Sequence, residues 1–249
     1  MENGFSKLYA DFTQTFISGN RWQALLEGLG ITLKLTLFAL ILGSVLGVLV
    51  AVVRSSHDQL EQQHKSNALL NVLNAICKIY LTVIRGTPMM VQLLIMYFVI
   101  MANTTNTLLV ATLSFGINSG AYVAEIIRGG IMGVDKGQME AGRSLGLSYV
   151  QTMWHIIIPQ AIKNILPALG NEFIALLKET SIVNVIGMKD ITKWAINVQG
   201  RTYQAFMPFI GIAVVYLVLV IILTKLIEIM ERRLNPDVQS DRKQHRKEH

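Results

Sequence analysis

The side chains able to do chemistry in this sequence are few, and most of them interrupt long apolar runs. Glu172 follows Asn171 about one turn beyond Pro167, inside the apolar segment 161–186. A carboxylate there suits a cationic side chain or the α-ammonium of an amino acid. It suits a structural hydrogen bond between helices equally well. Gln92, Asn118 and Ser119 are polar groups in similar surroundings. Polar groups are costly in hydrocarbon, so each marks either a passage for a polar solute or an internal pair. Glu125 and Arg128 stand close to one helical turn apart, which fits an ion pair better than a substrate site. Covalent and metal chemistry have little to work with. The chain contains no His-Glu-x-x-His, no Gly-x-Ser-x-Gly and no paired membrane aspartates, so an intramembrane enzyme has no machinery here. Cys77 stands alone, which excludes an intrachain disulfide and a cysteine metal cluster. His57, Asp58, Glu61 and His64 crowd one polar stretch, but their spacing matches no metal motif.

The elements that must position these groups are membrane-spanning helices. The chain has 249 residues, of which 52% are hydrophobic and 15% charged, with a mean hydropathy of +0.45. Soluble domains carry about 25% charged residues. The deficit, with long apolar runs, points to an all-α integral membrane protein. The net charge of +6 comes from basic residues beside apolar runs, a signal of topology and not of nucleic-acid binding. Residues 1–28 are mixed and amphipathic, with no cleavable signal-peptide layout, and read as an interfacial lead-in. Five transmembrane helices follow within 29–230. The first is 29–53, about 37 Å long at 1.5 Å per residue, and its Gly43 and Gly47 form a small-residue face for close helix approach. The second joins 68–84 to 89–102 across the break Arg85-Gly86-Thr87-Pro88. The others are 107–127, 161–186 and 205–229, and a charged tail occupies 231–249. Basic residues concentrate in the loops after the first and third spans and in the tail, which places those segments in the cytoplasm and the amino terminus outside.

The loop 128–160 has a physical logic of its own. Asp135 to Ser144 reads as a short charged helix, Gly146 as its breaker, and Ser148 to Ile158 as a second helix ended by Pro159. Trp154 and Ile157 are available for burial. A helix–glycine–helix across the ends of the spans either transmits a rigid-body push or merely caps the bundle. His155 reads as a surface residue. The chain also lacks a Gly-x-x-x-x-Gly-Lys-Ser/Thr phosphate loop, so it cannot bind ATP in that way.

The same loop resembles the EAA loop of the membrane subunits of ABC importers. Glu140, Ala141 and Gly146 match that pattern, and Ile156 and Pro159 match its Ile-x-Leu-Pro end. Gly142 stands for the second alanine and Ile158 for the leucine. Further blocks resemble the polar amino-acid permeases of that family: Arg85-Gly86-Thr87-Pro88 with Val91-Gln92, Asn118-Ser119-Gly120-Ala121-Tyr122, Glu125 to Gly130, Lys136 to Glu140, Pro159-Gln160-Ala161 and Leu177 to Ser181. They run in order from about Gly30 to Arg233.

The resemblance implies a type I importer permease fold with a cytoplasmic coupling helix-loop-helix, in a bacterial cytoplasmic membrane. It implies pairing with a second permease subunit, identical or homologous, and docking on a dimer of ABC ATPase subunits that hold ATP and Mg. This chain then needs no cofactor of its own and is not an enzyme. An extracytoplasmic solute-binding protein is expected to deliver the amino-acid substrate. Glu140, Ala141, Gly142 and Gly146 become the ATPase-coupling residues, while Gln92, Asn118, Ser119 and Glu172 are the substrate-pathway candidates. Glu172 favours a basic or amide amino acid. The alternative is an ATP-independent channel or secondary transporter, which commonly shows internal symmetry not evident here.

Overall fold

A computed structural model of the chain describes residues 4–62 and 67–234. The tail beyond Leu234, like His64 and Lys65, lies outside the described residues. Among the described residues every regular element is helical: α1 Gly4–Phe12, α2 Arg21–Gln62, α3 Ala68–Gly86, α4 Met89–Ile95, α5 Thr107–Met132, α6 Lys136–Ser144, α7 Tyr149–Thr152, α8 Ile158–Glu179, α9 Ile191–Thr202 and α10 Phe206–Leu234. A π turn, Met96–Ile100, extends α4, a second, Met153–Ile157, joins α7 to α8, and a 3-10 segment, Thr180–Ile186, follows α8. Four helical segments are long and apolar enough to cross a bilayer: the one containing α2, then α3, α5 and α10. Helix α8 has 22 residues, but Gln160, Lys163, Asn164, Asn171 and Glu172 dilute its apolar character.

Several boundaries differ from those read in the sequence. Helix α2 begins at Arg21, so the last eight residues of the expected lead-in belong to the first long helix. It also runs through the polar stretch after Val53 as far as Gln62. Leaving the apolar zone does not end a helix whose residues carry neither proline nor a capping break. Pro159 does not end a helix either. The turn before it is π-helical, with the Ile158 N–H donating to the Met153 carbonyl, five residues back. That widened turn accommodates the proline ring, and Pro159 takes the second position of α8, where its missing N–H is not needed.

The contacts divide the chain into two units, and α2, α5, α8 and α10 each contribute residues to both. Among the described residues the first holds 4–42, 87–116 and 175–221. Its core packs Leu35, Leu93, Phe115, Leu176, Val183 and Ile186. A satellite cluster is built on α9, whose Ile191, Trp194, Ala195 and Val198 fall at helical spacing on one face. Phe16 stacks on Trp194 at 5.5 Å, the Trp194 indole N–H donates to the Arg21 carbonyl at 2.8 Å, and Gln204 donates to Asp11 at 2.8 Å. Asp190 caps α9 by accepting from the backbone N–H groups of Thr192 and Lys193. Burial pushes its carboxyl pKa up, and those cap hydrogen bonds pull against the shift.

Among the described residues the second unit holds 43–62, 67–86, 117–174 and 222–234, and it includes the larger part of α5. A Cβ on Gly43 would sit 2.9 Å from Ser119, and one on Gly47 would sit 2.6 Å from Val123. The small-residue face of α2 therefore packs directly on α5. Contact this close replaces the hydrophobic drive that lipid cannot supply between helices. From α3, the Tyr80 hydroxyl donates to the Ile117 carbonyl at 2.5 Å.

Candidate functional site: a coupling motif and a buried polar cluster

The segment after α5 folds from the side chains upward. Asp135 caps α6, accepting from the Gly137 N–H at 2.6 Å. Gly146 adopts φ +84°, a left-handed conformation that glycine enters without a Cβ penalty. The Leu145, Gly146 and Leu147 N–H groups then return to the carbonyls of Ala141, Arg143 and Gly142, which close the helix. Ser148 opens α7 with a capping box: it accepts from the Gln151 N–H, and the Gln151 side chain accepts from the Ser148 N–H at 2.8 Å. Thr152 is fully buried and donates to the Ser148 carbonyl at 3.0 Å.

The two faces of this motif differ. Glu140, Ala141, Arg143 and Ser144 are exposed, and Leu145 is 82% exposed. Gly142 turns inward, where a Cβ would meet the Thr152 methyl at 2.5 Å. Its smallness lets α6 lie against the turn containing Thr152 and Ile156. Of the two residues expected to be available for burial, Ile157 is buried, while Trp154 is 68% exposed. Trp154 lines an apolar cavity of about 340 Å³ with Val52, Ile131, Tyr149 and Ile165. Burial raises the Tyr149 phenol pKa. His155 is exposed, with Nδ1 2.9 Å from the Gln151 carbonyl.

The pathway candidates fall in two places. In the second unit, Ser119 Oγ donates to Glu172 Oε1 at 2.8 Å, which ties α5 to α8. Asn118 and Ser119 are buried, and Glu172 is half-buried. Gln92, in the first unit, donates to the Thr87 hydroxyl at 2.8 Å and the Thr87 carbonyl at 3.1 Å, bridging the Arg85–Pro88 break to α4. Glu125 does pair with Arg128, at 3.7 Å, but its shorter contact is with Arg54 Nη1 at 2.8 Å. That partner lies 71 residues away, and the only sequence signal for it is a lone cation just past the first apolar run. Nothing local to Tyr80 marks its partner on α5, the Ile117 carbonyl, either. His57 lies 3.5 Å from Asp58 and 3.7 Å from Glu61, the ordinary proximity of neighbours one residue and one turn apart.

The glycine-broken pair of helices after α5 matches the coupling motif that the sequence resemblance to importer membrane subunits implied. The chain belongs to the binding-protein-dependent transport system inner membrane component family, whose model matches residues 68–236. It is 38% identical over 213 residues to the arginine transport system permease protein ArtQ of Bacillus subtilis strain 168, covering 84% of this chain and 92% of that one. It is 33% identical over 215 residues to the glutamine transport system permease protein GlnP of Escherichia coli strain K12, with the same coverage. A crystal structure of an amino acid ABC transporter with histidines contains a chain 40% identical, with a TM-score of 0.78, covering 94% of this chain and 99% of that one. An inward-facing structure of the MetNI methionine ABC transporter shares the fold, with a TM-score of 0.72 at 19% identity, covering 88% of this chain and 99% of that one.

Proposed function

We propose that this chain is the permease subunit of an ATP-driven importer of a polar amino acid, with a basic or amide side chain. The observation that carries this reading is the coupling motif: an exposed α6 face, capped at both ends and braced from behind by Thr152 and Ile156. A partner gripping Glu140 and Ala141 would push on a stiff body. Gly146 sets the bend between the two helices. The substrate class rests on the relatives described as glutamine and arginine permeases, and on a carboxylate at Glu172 held by Ser119 among apolar helices. Asn118 and Gln92 complete the pathway in this reading.

The proposed topology has five spans. Helices α3 and α4 together make the second and α8 makes the fourth, so the amino terminus is outside and the coupling motif and tail are cytoplasmic. The subunit pairs with a second permease subunit, identical or homologous, on an ATPase dimer that holds ATP and Mg, and receives its cargo from a solute-binding protein. It binds no cofactor itself. The test is uptake into proteoliposomes carrying the permease, its ATPase and its binding protein, with radiolabelled arginine competed by glutamine and glutamate. ATP-dependent uptake blocked by glutamine and spared by glutamate is expected. Uptake by the permease alone, without ATP, would overturn the reading.

A further inference from the structure

Helix α3 carries a polar stripe that the coupling motif and the Ser119–Glu172 pair leave unexplained. Lys78, Thr82 and Arg85 fall at i, i+4 and i+7, on one face of a helix long and apolar enough to span a bilayer. With Arg54 and Glu125 they line one open cavity of about 520 Å³ within the second unit. The Arg85 guanidinium lies 5.6 Å from the centre of the Tyr122 ring. Three cations thus surround one carboxylate, and that carboxylate is already bonded to Arg54 and approached by Arg128. Among the described residues, no carboxylate comes within 4.0 Å of Lys78 or Arg85.

Facing this stripe towards lipid would be expensive, so it borders either a polar cavity or another protein. Within this unit's α5 and α8, Glu125 is held by arginines and Glu172 accepts from Ser119, so neither is left to neutralise the stripe. A small mobile anion fits better. The Glu125 carboxylate in the cavity wall disfavours a doubly charged phosphate, whereas a singly charged carboxylate beside an ammonium meets both signs.

We infer that this cavity receives the α-carboxylate of the transported amino acid, with Lys78 and Arg85 as the residues that select it. The inference rests on the importer reading and adds a second recognition point to it. Its test is equilibrium binding of radiolabelled arginine to the permease–ATPase complex in nanodiscs of neutral phosphatidylcholine, without binding protein, competed by argininamide. The unmodified complex is expected to prefer arginine to the amide by about tenfold, the scale of one charge-assisted contact. Arg85→Gln and Lys78→Gln should abolish that preference while leaving amide binding within about twofold, and Arg85→Lys should restore most of it. Preference retained in both glutamine variants would overturn the assignment, as would equal loss of both ligands. Loss of the preference when phosphatidylglycerol is added to the nanodiscs, with amide binding unchanged, would make the stripe a lipid headgroup site instead. Failure of the unmodified complex to take up any amino acid with ATP would sink the importer reading itself, which separates the two failures.

Discussion

Helices α5 and α6 are adjacent in the chain, separated only by residues 133–135, yet they are built on opposite plans. Helix α5 keeps its polar groups inside, with Ser119 on Glu172, the Ile117 carbonyl on Tyr80, and Glu125 on Arg54. Helix α6 turns Glu140 and Arg143 outwards and hides only Gly142. The difference separates two kinds of importance. A residue on α5 acts through other residues of this chain, so replacing it costs folding. In the proposed reading a residue such as Glu140, exposed on α6, acts on something outside the chain, so replacing it is expected to cost coupling and leave the fold alone.

Substitutions can break that contrast. Gly47→Leu drives a side chain into Val123 and should cost about 3 kcal/mol, the upper range of overpacking. Thermal unfolding of the purified complex is expected to show it, and an unchanged melting temperature would mean that α2 and α5 are not in contact. Arg54→Gln removes the shorter of the two ion contacts to Glu125 and should cost about 2 kcal/mol in the same measurement. A neutral result would mean that Arg128 suffices alone. Ser119→Ala, which takes the hydrogen bond from Glu172, should cost about 1 kcal/mol. If it also relaxes competition between arginine and glutamine for uptake, the pair serves the pathway as well as the packing. Ser148→Ala loses one half of the capping box and should cost about 1 kcal/mol, read as faster proteolysis at the α6–α7 turn. Glu140→Lys sharpens the contrast most. Its stability should stay within about 0.5 kcal/mol of the parent, while ATP-driven uptake fails. Normal uptake by that variant would remove α6 from the coupling role.

The sequence made much of the α6–α7 region legible because its signals are local. Asp135 and Ser148 each cap a helix through a residue two or three positions on, and Gly146 answers to its own backbone. The membrane-spanning segments were legible in the same way, through the length and composition of their apolar runs, although their ends were not. What joins distant segments was not legible. Arg54 and Glu125 carry no mark of each other, and nothing near Ser119 announces Glu172. Helix α9 had a readable pattern in Ile191, Trp194, Ala195 and Val198, but the polar residues between them masked it. Pro159 misled for a different reason. The usual rule assumes an α-helical turn before the proline, and the turn at Met153–Ile157 is wider.

That wider turn has a mechanical consequence. Because the chain does not break at Pro159, helical backbone runs on from Tyr149 to Glu172, with Pro167 inside it. Glu172 lies thirteen positions beyond Pro159, about 20 Å at 1.5 Å per residue. The segment behaves as a lever arm. A tilt applied at the α7 end reaches the carboxylate at the other end only across Pro167, whose missing N–H makes it the place where the arm can bend.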